Sequence, residues 1–410
     1  MDVQGRTAPG FEQVTEVFAA NFERYGEVGA AFAAYRDDEP VVDLWAGVTD
    51  PATGHPWRAD TLQLVFSGAK GLTSACVLLL VERGLLELDA PTARYWPEFA
   101  AAGKERITVG EILSHQARLP GVQQPVGAEE LLDPEHMAGL LAAQAPSTDP
   151  RAAFTYHALT WGWLTGELVR RVDGRTVGAL FADEFAGPLG LDIWLGLPDT
   201  EHHRAATTIA GPGVLLPEDE GEGEDEEDED EEKDSLRVLT RNPLLVPDAP
   251  ALWNSAAFRR AQLPAVGAYV TARSMARFYA CLARGGELDG VRVLDEATVR
   301  LGRRELRRGV SALWGAPMAY GAGFELRTGL ALFGPPPDTF GHAGAGGSRH
   351  GAWPGERIGF SYTMNLTRAE FPDRRPLDLL ASLHEAALTS PGRSHRAAPA
   401  GQGPTGCTSR

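Results

Sequence analysis

Ser67 and Lys70 stand three residues apart in "LQLVFSGAKGLTSACVLLLVERG", at the head of a strongly apolar segment. In a helix, positions i and i+3 share a face, so the lysine amine can reach the serine hydroxyl. A serine is a weak nucleophile until a neighbouring base takes its proton. Lysine is such a base only when neutral, and its ordinary pKa of about 10.4 leaves under a thousandth of it neutral at pH 7. Burial among apolar side chains, or a nearby positive charge, would lower that value. In the first helical turn, free N–H groups and the helix dipole also favour developing negative charge on Ser67. A capping serine beside a snorkelling lysine is the bland alternative for the same four residues.

Arginine outnumbers lysine by 35 to 3, so each lysine raises the question of why arginine would not serve. Arginine stays protonated, whereas a buried lysine can become a base. Lys104 and Lys233 lie in polar stretches expected to be exposed, and Lys70 lies among apolar residues. A second candidate is Tyr156 in "FTYHALTWGWLTGELVRRV", just ahead of a predicted helix. A phenol near an ammonium can shuttle a proton between nucleophile and leaving group. A third is His342-Ala343-Gly344 in "FGHAGAGGSRHGAWPGERIGFSYTMN", a glycine-rich strip expected just before a strand. Such a strip lets substrate approach the backbone, whose N–H groups can form half of an oxyanion hole. A lone core tyrosine and a glycine-rich turn with an incidental histidine are the plain readings of these two.

The elements that must carry these residues follow from periodicity. Phe11 to Tyr25 has apolar positions at helical spacing. Val28 to Tyr35 and Pro40 to Ala46 read as a hairpin, and Ser67 opens a helix ending near Gly84. Thr108 with Glu111 three residues on is a capping-box signature. Residues 85 to 265 are mostly helical in pattern, and strand signals return after 310 in "GFELRTGLALFG" and "IGFSYTMNL". "DLLASLHEAAL" closes the order as a helix. Strands at both ends and helices between predict a domain of residues 1–66 and 266–388 with a mainly helical domain, 67–265, inserted.

Of the net charge of −18, residues Glu218 to Asp234 carry −13, through 14 acidic side chains and one lysine. Pro217 to Ser235 therefore reads as a disordered acidic loop, and Thr389 to Arg410 as a flexible tail. The remaining charge of −5 disfavours a nucleic-acid partner. Three cysteines outside any CxxC pattern make neither a disulfide framework nor a zinc site. The longest apolar run is too short for a membrane span, and the N-terminus lacks a signal pattern, so a cytoplasmic location is expected.

The stretches around Ser67, Tyr156 and His342, with "VTARSMARFYACLARGG", resemble the serine β-lactamase-like family in the family's order over about residues 11 to 388. The match is strongest to the carboxylesterases similar to class C β-lactamases, the family VIII esterases. The resemblance implies an α+β or α/β fold of the penicillin-binding-protein transpeptidase type, with an antiparallel sheet flanked by helices plus a mainly helical insertion. It implies Ser67 as acylated nucleophile, Lys70 as base or relay and Tyr156 as general acid or base. It puts His342-Ala343-Gly344 in the place of the Lys-Thr-Gly strip, with the N–H groups of Ala345 and Ser67 as the oxyanion hole. Ala158 stands where β-lactamases have asparagine and His342 where they have lysine; both changes point to an ester without a required carboxylate. Arg118 replaces the usual glycine of the "HxxGLP" loop, which leaves that loop's path open. The expected activity is hydrolysis of small carboxylic esters, without cofactor or metal. A β-lactamase, a D-amino-acid peptidase or an acyltransferase of the same fold are alternatives, as is a silent protein that binds through its acidic loop.

Overall fold

The computed structural model describes residues 1–211, 250–312 and 315–390. The acidic run 217–235 and the tail from residue 391 lie outside the described residues. Thr389, expected to begin the tail, closes the last helix instead.

A ten-stranded antiparallel sheet holds the fold together. Its main strands are β1 (Gln4–Thr7), β2 (Gly29–Arg36), β3 (Glu39–Asp50), β4 (Arg307–Val310), β5 (Pro317–Tyr320), β6 (Glu325–Leu326), β7 (Phe340–Ala343), β8 (Arg349–Trp353) and β9 (Ile358–Met364). They lie in the order β1-β3-β2-β9-β8-β7-β6-β5-β4, and His55–Pro56 pairs with β3. The first and last thirds of the chain thus meet at the β2–β9 pair, where Phe32 faces Tyr362. The sequence hairpin matches β2 and β3. Of "GFELRTGLALFG", only Glu325 and Leu326 form a strand, and β1 was not anticipated.

Both faces of the sheet are covered. Ala30, Phe32 and Ala34 pack under α1 (Glu12–Tyr25) and α6 (Arg374–Thr389). Ala31 and Ala33 face Ala272 and Ala276 of α5 (Ala272–Ala283). Alternation with period two explains why one alanine-rich strand serves both layers, and small side chains let the helix lie close. Gly359 is required there, because a Cβ would sit 1.9 Å from the Ala280 nitrogen.

The helix after Ser67, α2 (Ala69–Glu82), is buried from Ala69 to Leu80. Mostly apolar and buried on every side, it belongs in the interior. It packs between β7 and α4 (Thr160–Asp173). The capping box at Thr108 opens the short helix α3 (Val109–Leu113). Lys104 departs from expectation: it is fully buried, its ammonium donating to the carbonyls of Ala101, Ala142 and Gln144. A polar-looking stretch thereby hides a cation satisfied by three backbone acceptors. No described helix is long and apolar enough to cross a membrane.

Candidate active site

Ser67 lies in a 3₁₀ turn, Phe66–Gly68, that runs directly into α2, not in the first α-helical turn itself. The turn is forced: Phe66 has φ +44°, a left-handed conformation that costs a non-glycine residue energy. Phe66 is held by an edge-on contact with Trp253, ring centroids 5.1 Å apart. Gly68 cannot carry a side chain, since a Cβ would fall 2.8 Å from His350 Nε2. The strain lifts Ser67 to a partly exposed position over a buried floor.

Lys70 is that floor. It is fully buried, and its Nζ lies 3.2 Å from Ser67 Oγ. The amine also donates to the Ala158 carbonyl at 2.7 Å and the Ala265 carbonyl at 3.3 Å. A neutral amine has two N–H bonds and one lone pair. A neutral Lys70 would give those two bonds to the carbonyls and keep its lone pair for the serine hydroxyl. Burial drives Lys70 well below its ordinary value, and only Glu325 opposes this. The two carbonyls were invisible to sequence reasoning, because a backbone acceptor leaves no trace in residue type. Ala158 supplies its main chain where its side chain has nothing to offer.

Tyr156, in the connection ahead of α4, sets its phenol beside Ser67, and its ring centroid lies 4.9 Å from Lys70 Nζ. Burial holds the phenol protonated, well above its ordinary range. The ring is walled by His115 at 4.6 Å and Tyr320 at 6.2 Å between centroids. His115 Nδ1 accepts the His157 N–H at 3.1 Å, and His157 Nε2 accepts the Leu119 N–H at 3.0 Å. These bonds tie the Tyr156 connection to the loop after α3. That loop's path is now plain: Arg118 has φ +59°, the conformation a glycine would take freely, and its guanidinium binds the Ser147 and Asp149 carbonyls.

The remaining candidates sit on β7 and the turn beyond it. His342 and Ala343 are within the strand, not ahead of one. Gly344 abuts the Val65 carbonyl, which a Cβ would meet at 2.2 Å. This fixes the turn against the segment leading into Ser67. Ala345 opens the 3₁₀ turn Ala345–Gly347 and is exposed. Among the described residues, neither the Ser67 N–H nor the Ala345 N–H has a protein acceptor. His342 is fully buried, its Nδ1 2.8 Å from the Ala343 carbonyl and its Nε2 without a partner. Burial keeps it neutral. Glu325, absent from the sequence candidates, lies 3.7 Å from His342 Nδ1 and is pushed up to about 7 by burial. A lone acid inside "GFEL" was the signal available for it.

The buried histidines carry a stability cost in acid. Burial lowers His157 to about 4, against 6.5 ordinarily. The unfolded chain therefore binds this proton first, so the contribution is whole above pH 6.5 and is lost as pH falls towards 4. The loss is on the order of 3 kcal/mol. Urea titrations at pH 7 and pH 4.5 are expected to show a smaller pH-dependent drop for His157→Gln than for the parent. Parallel drops in the two proteins would refute this.

The beta-lactamase family model matches residues 14–383. The chain is 35% identical over 376 residues to the esterase/beta-lactamase LipL of Mycobacterium tuberculosis, covering 88% of this chain and 83% of that protein. Its fold superposes on the crystal structure of a family VIII carboxylesterase with a TM-score of 0.85 at 36% identity, over 94% of this chain and 100% of that one. It superposes on a penicillin-binding protein homolog from Caulobacter crescentus with a TM-score of 0.82 at 34% identity, over 94% and 100% of the two chains.

Proposed function

The chain belongs to the beta-lactamase family, and on that premise we propose that it is a serine carboxylesterase that cleaves small uncharged esters through an acyl-enzyme on Ser67. The observation that carries the reading is the buried Lys70 amine, 3.2 Å from Ser67 Oγ and held by the Ala158 and Ala265 carbonyls; burial favours its neutral form, whose lone pair is then available to the Ser67 proton. Environments that push one group's pKa down and its neighbour's up assign base and acid. Lys70 is lowered and Tyr156 raised, so Lys70 is the base and Tyr156 the proton donor.

Ser67 Oγ attacks the ester carbonyl as its proton passes to Lys70. The carbonyl oxygen becomes an oxyanion held by the free N–H groups of Ser67 and Ala345. As the C–O bond to the alcohol breaks, the Tyr156 phenol protonates the departing alkoxide, and the Lys70 ammonium returns a proton to the phenolate. Water then attacks the acyl-enzyme with its proton accepted by Lys70. The acid leaves, and Ser67 regains its hydroxyl.

An ester is favoured over a β-lactam by His342, which is buried, neutral and turned to a main-chain carbonyl, so it offers no cation to a substrate carboxylate. The purified protein is expected to hydrolyse p-nitrophenyl acetate or butyrate, and a fluorophosphonate probe to add its mass to the peptide containing Ser67. Nitrocefin turnover matching ester turnover would favour the lactamase reading. Label elsewhere, or no ester turnover, would sink the proposal.

A further inference from the structure

The turn bearing Ala345 rests on a buried ion cluster that lies apart from the reacting groups. Arg375, in the first turn of α6, is fully buried. Its Nε and Nη2 bind the Asp373 carboxylate at 3.0 and 2.7 Å, and its Nη1 pairs with Glu27, which also accepts the Tyr362 hydroxyl. The same guanidinium donates to two carbonyls, Leu366 at 2.9 Å and Gly346 at 2.7 Å. The Arg368 N–H gives the Gly346 carbonyl a second donor at 3.1 Å.

The glycines around Ala345 are moulded to this base. Gly347 has φ +124°, and a Cβ there would lie 2.3 Å from Asp373 Oδ2 and 2.6 Å from Arg375 Nη2. On the other side, Gly344 presses on the Val65 carbonyl. Ala345 is thus pinned between the approach to Ser67 and the Arg375 cluster. A buried ion cluster is a poor source of stability, because desolvation offsets the attraction. What a guanidinium supplies is a rigid fork of donors that fixes carbonyl directions.

We propose that Arg375 is a positioning residue of the ester-cleaving reaction: through the Gly346 carbonyl it aims the Ala345 N–H at the oxyanion. This rests on the reading of Ala345 as an oxyanion donor. Lysine at 375 keeps a charge opposite Glu27 and Asp373 but cannot span two carboxylates and two carbonyls. Arg375→Lys is expected to fold, to lower kcat on p-nitrophenyl acetate by about 10- to 100-fold and to leave KM within about twofold. The rate of inactivation by a fluorophosphonate, whose adduct oxygen occupies the same hole, is expected to fall in parallel. If Arg375→Lys does not fold, Asp373→Asn, which loosens the fork while leaving the guanidinium, is read by the same criteria. A lowered melting temperature with kcat and inactivation rate unchanged would overturn the proposal and leave Arg375 a structural residue. Ala345→Pro separates the two layers of the argument. Full activity in Ala345→Pro removes the oxyanion reading and this inference with it. A slow Ala345→Pro beside a fast, folded Arg375→Lys or Asp373→Asn removes this inference alone.

Discussion

Ser67→Ala is expected to abolish ester turnover, by at least about 10⁵-fold in kcat, and Lys70→Ala to cost nearly as much, about 10⁴-fold. The double variant is expected to be no slower than Ser67→Ala. Groups that act as a unit are not additive, and both proton transfers proposed for Lys70 require the Ser67 hydroxyl or its acyl ester, which Ser67→Ala removes. Lys70→Arg sharpens the test. Arginine restores a cation at the site but cannot give up its proton, so a base role predicts that it is as slow as alanine. Each protein is compared by kcat on p-nitrophenyl acetate after its fold is checked by circular dichroism. Lys70 is fully buried and holds two carbonyls, so the expected side effect is lower stability. A folded Lys70→Arg that retains a tenth of parental kcat would mean that Lys70 acts by charge, and the base assignment would be lost.

The parts of this site legible in the sequence were those written in residue type and short spacing. An i, i+3 serine and lysine on an apolar segment mark both the proposed reacting pair and the burial that lowers the lysine pKa. The hairpin β2–β3, the capping box at Thr108 and the helices around residues 11–25, 69–82 and 378–388 follow from periodicity, which tertiary packing reinforced. Other features depend on where the backbone goes, and residue type is silent about that. The carbonyls of Ala158 and Ala265 could have been supplied by any residue. Lys104 looked exposed because its neighbours are polar, yet three carbonyls converge on it from separate segments. His342 was placed by resemblance where the family has a lysine, and strand alternation turns it inward, towards Gly71 of α2. Arg118 shows a glycine-type backbone kept with another side chain, its strain offset by two bonds to carbonyls across the loop. The Arg375 cluster joins residues 27, 346, 366 and 373, a set no local pattern could assemble.

Ala345→Pro is expected to lower kcat by about 10²- to 10³-fold with little change in KM or in melting temperature. Backbone donors are seldom testable by substitution, but this position allows it. Proline removes the N–H and nothing else of consequence, since that N–H has no acceptor within the described protein. The residue before a proline must be extended, and Gly344 already is, at φ −110° and ψ 150°. Ala345 opens a 3₁₀ turn and is exposed, so the ring has both a suitable place in the turn and room outside it. Ala345→Ser, which keeps the donor, is expected to stay within about threefold of the parent. A carboxylate product should inhibit the proline variant as it inhibits the parent, because a donor aimed at a developing charge contributes mainly in the transition state. A boronic acid, which forms a tetrahedral adduct on Ser67, should lose affinity in step with kcat. If Ala345→Pro folds and retains kcat within about threefold, the oxyanion is held elsewhere, and the turn after β7 has no direct part in the chemistry.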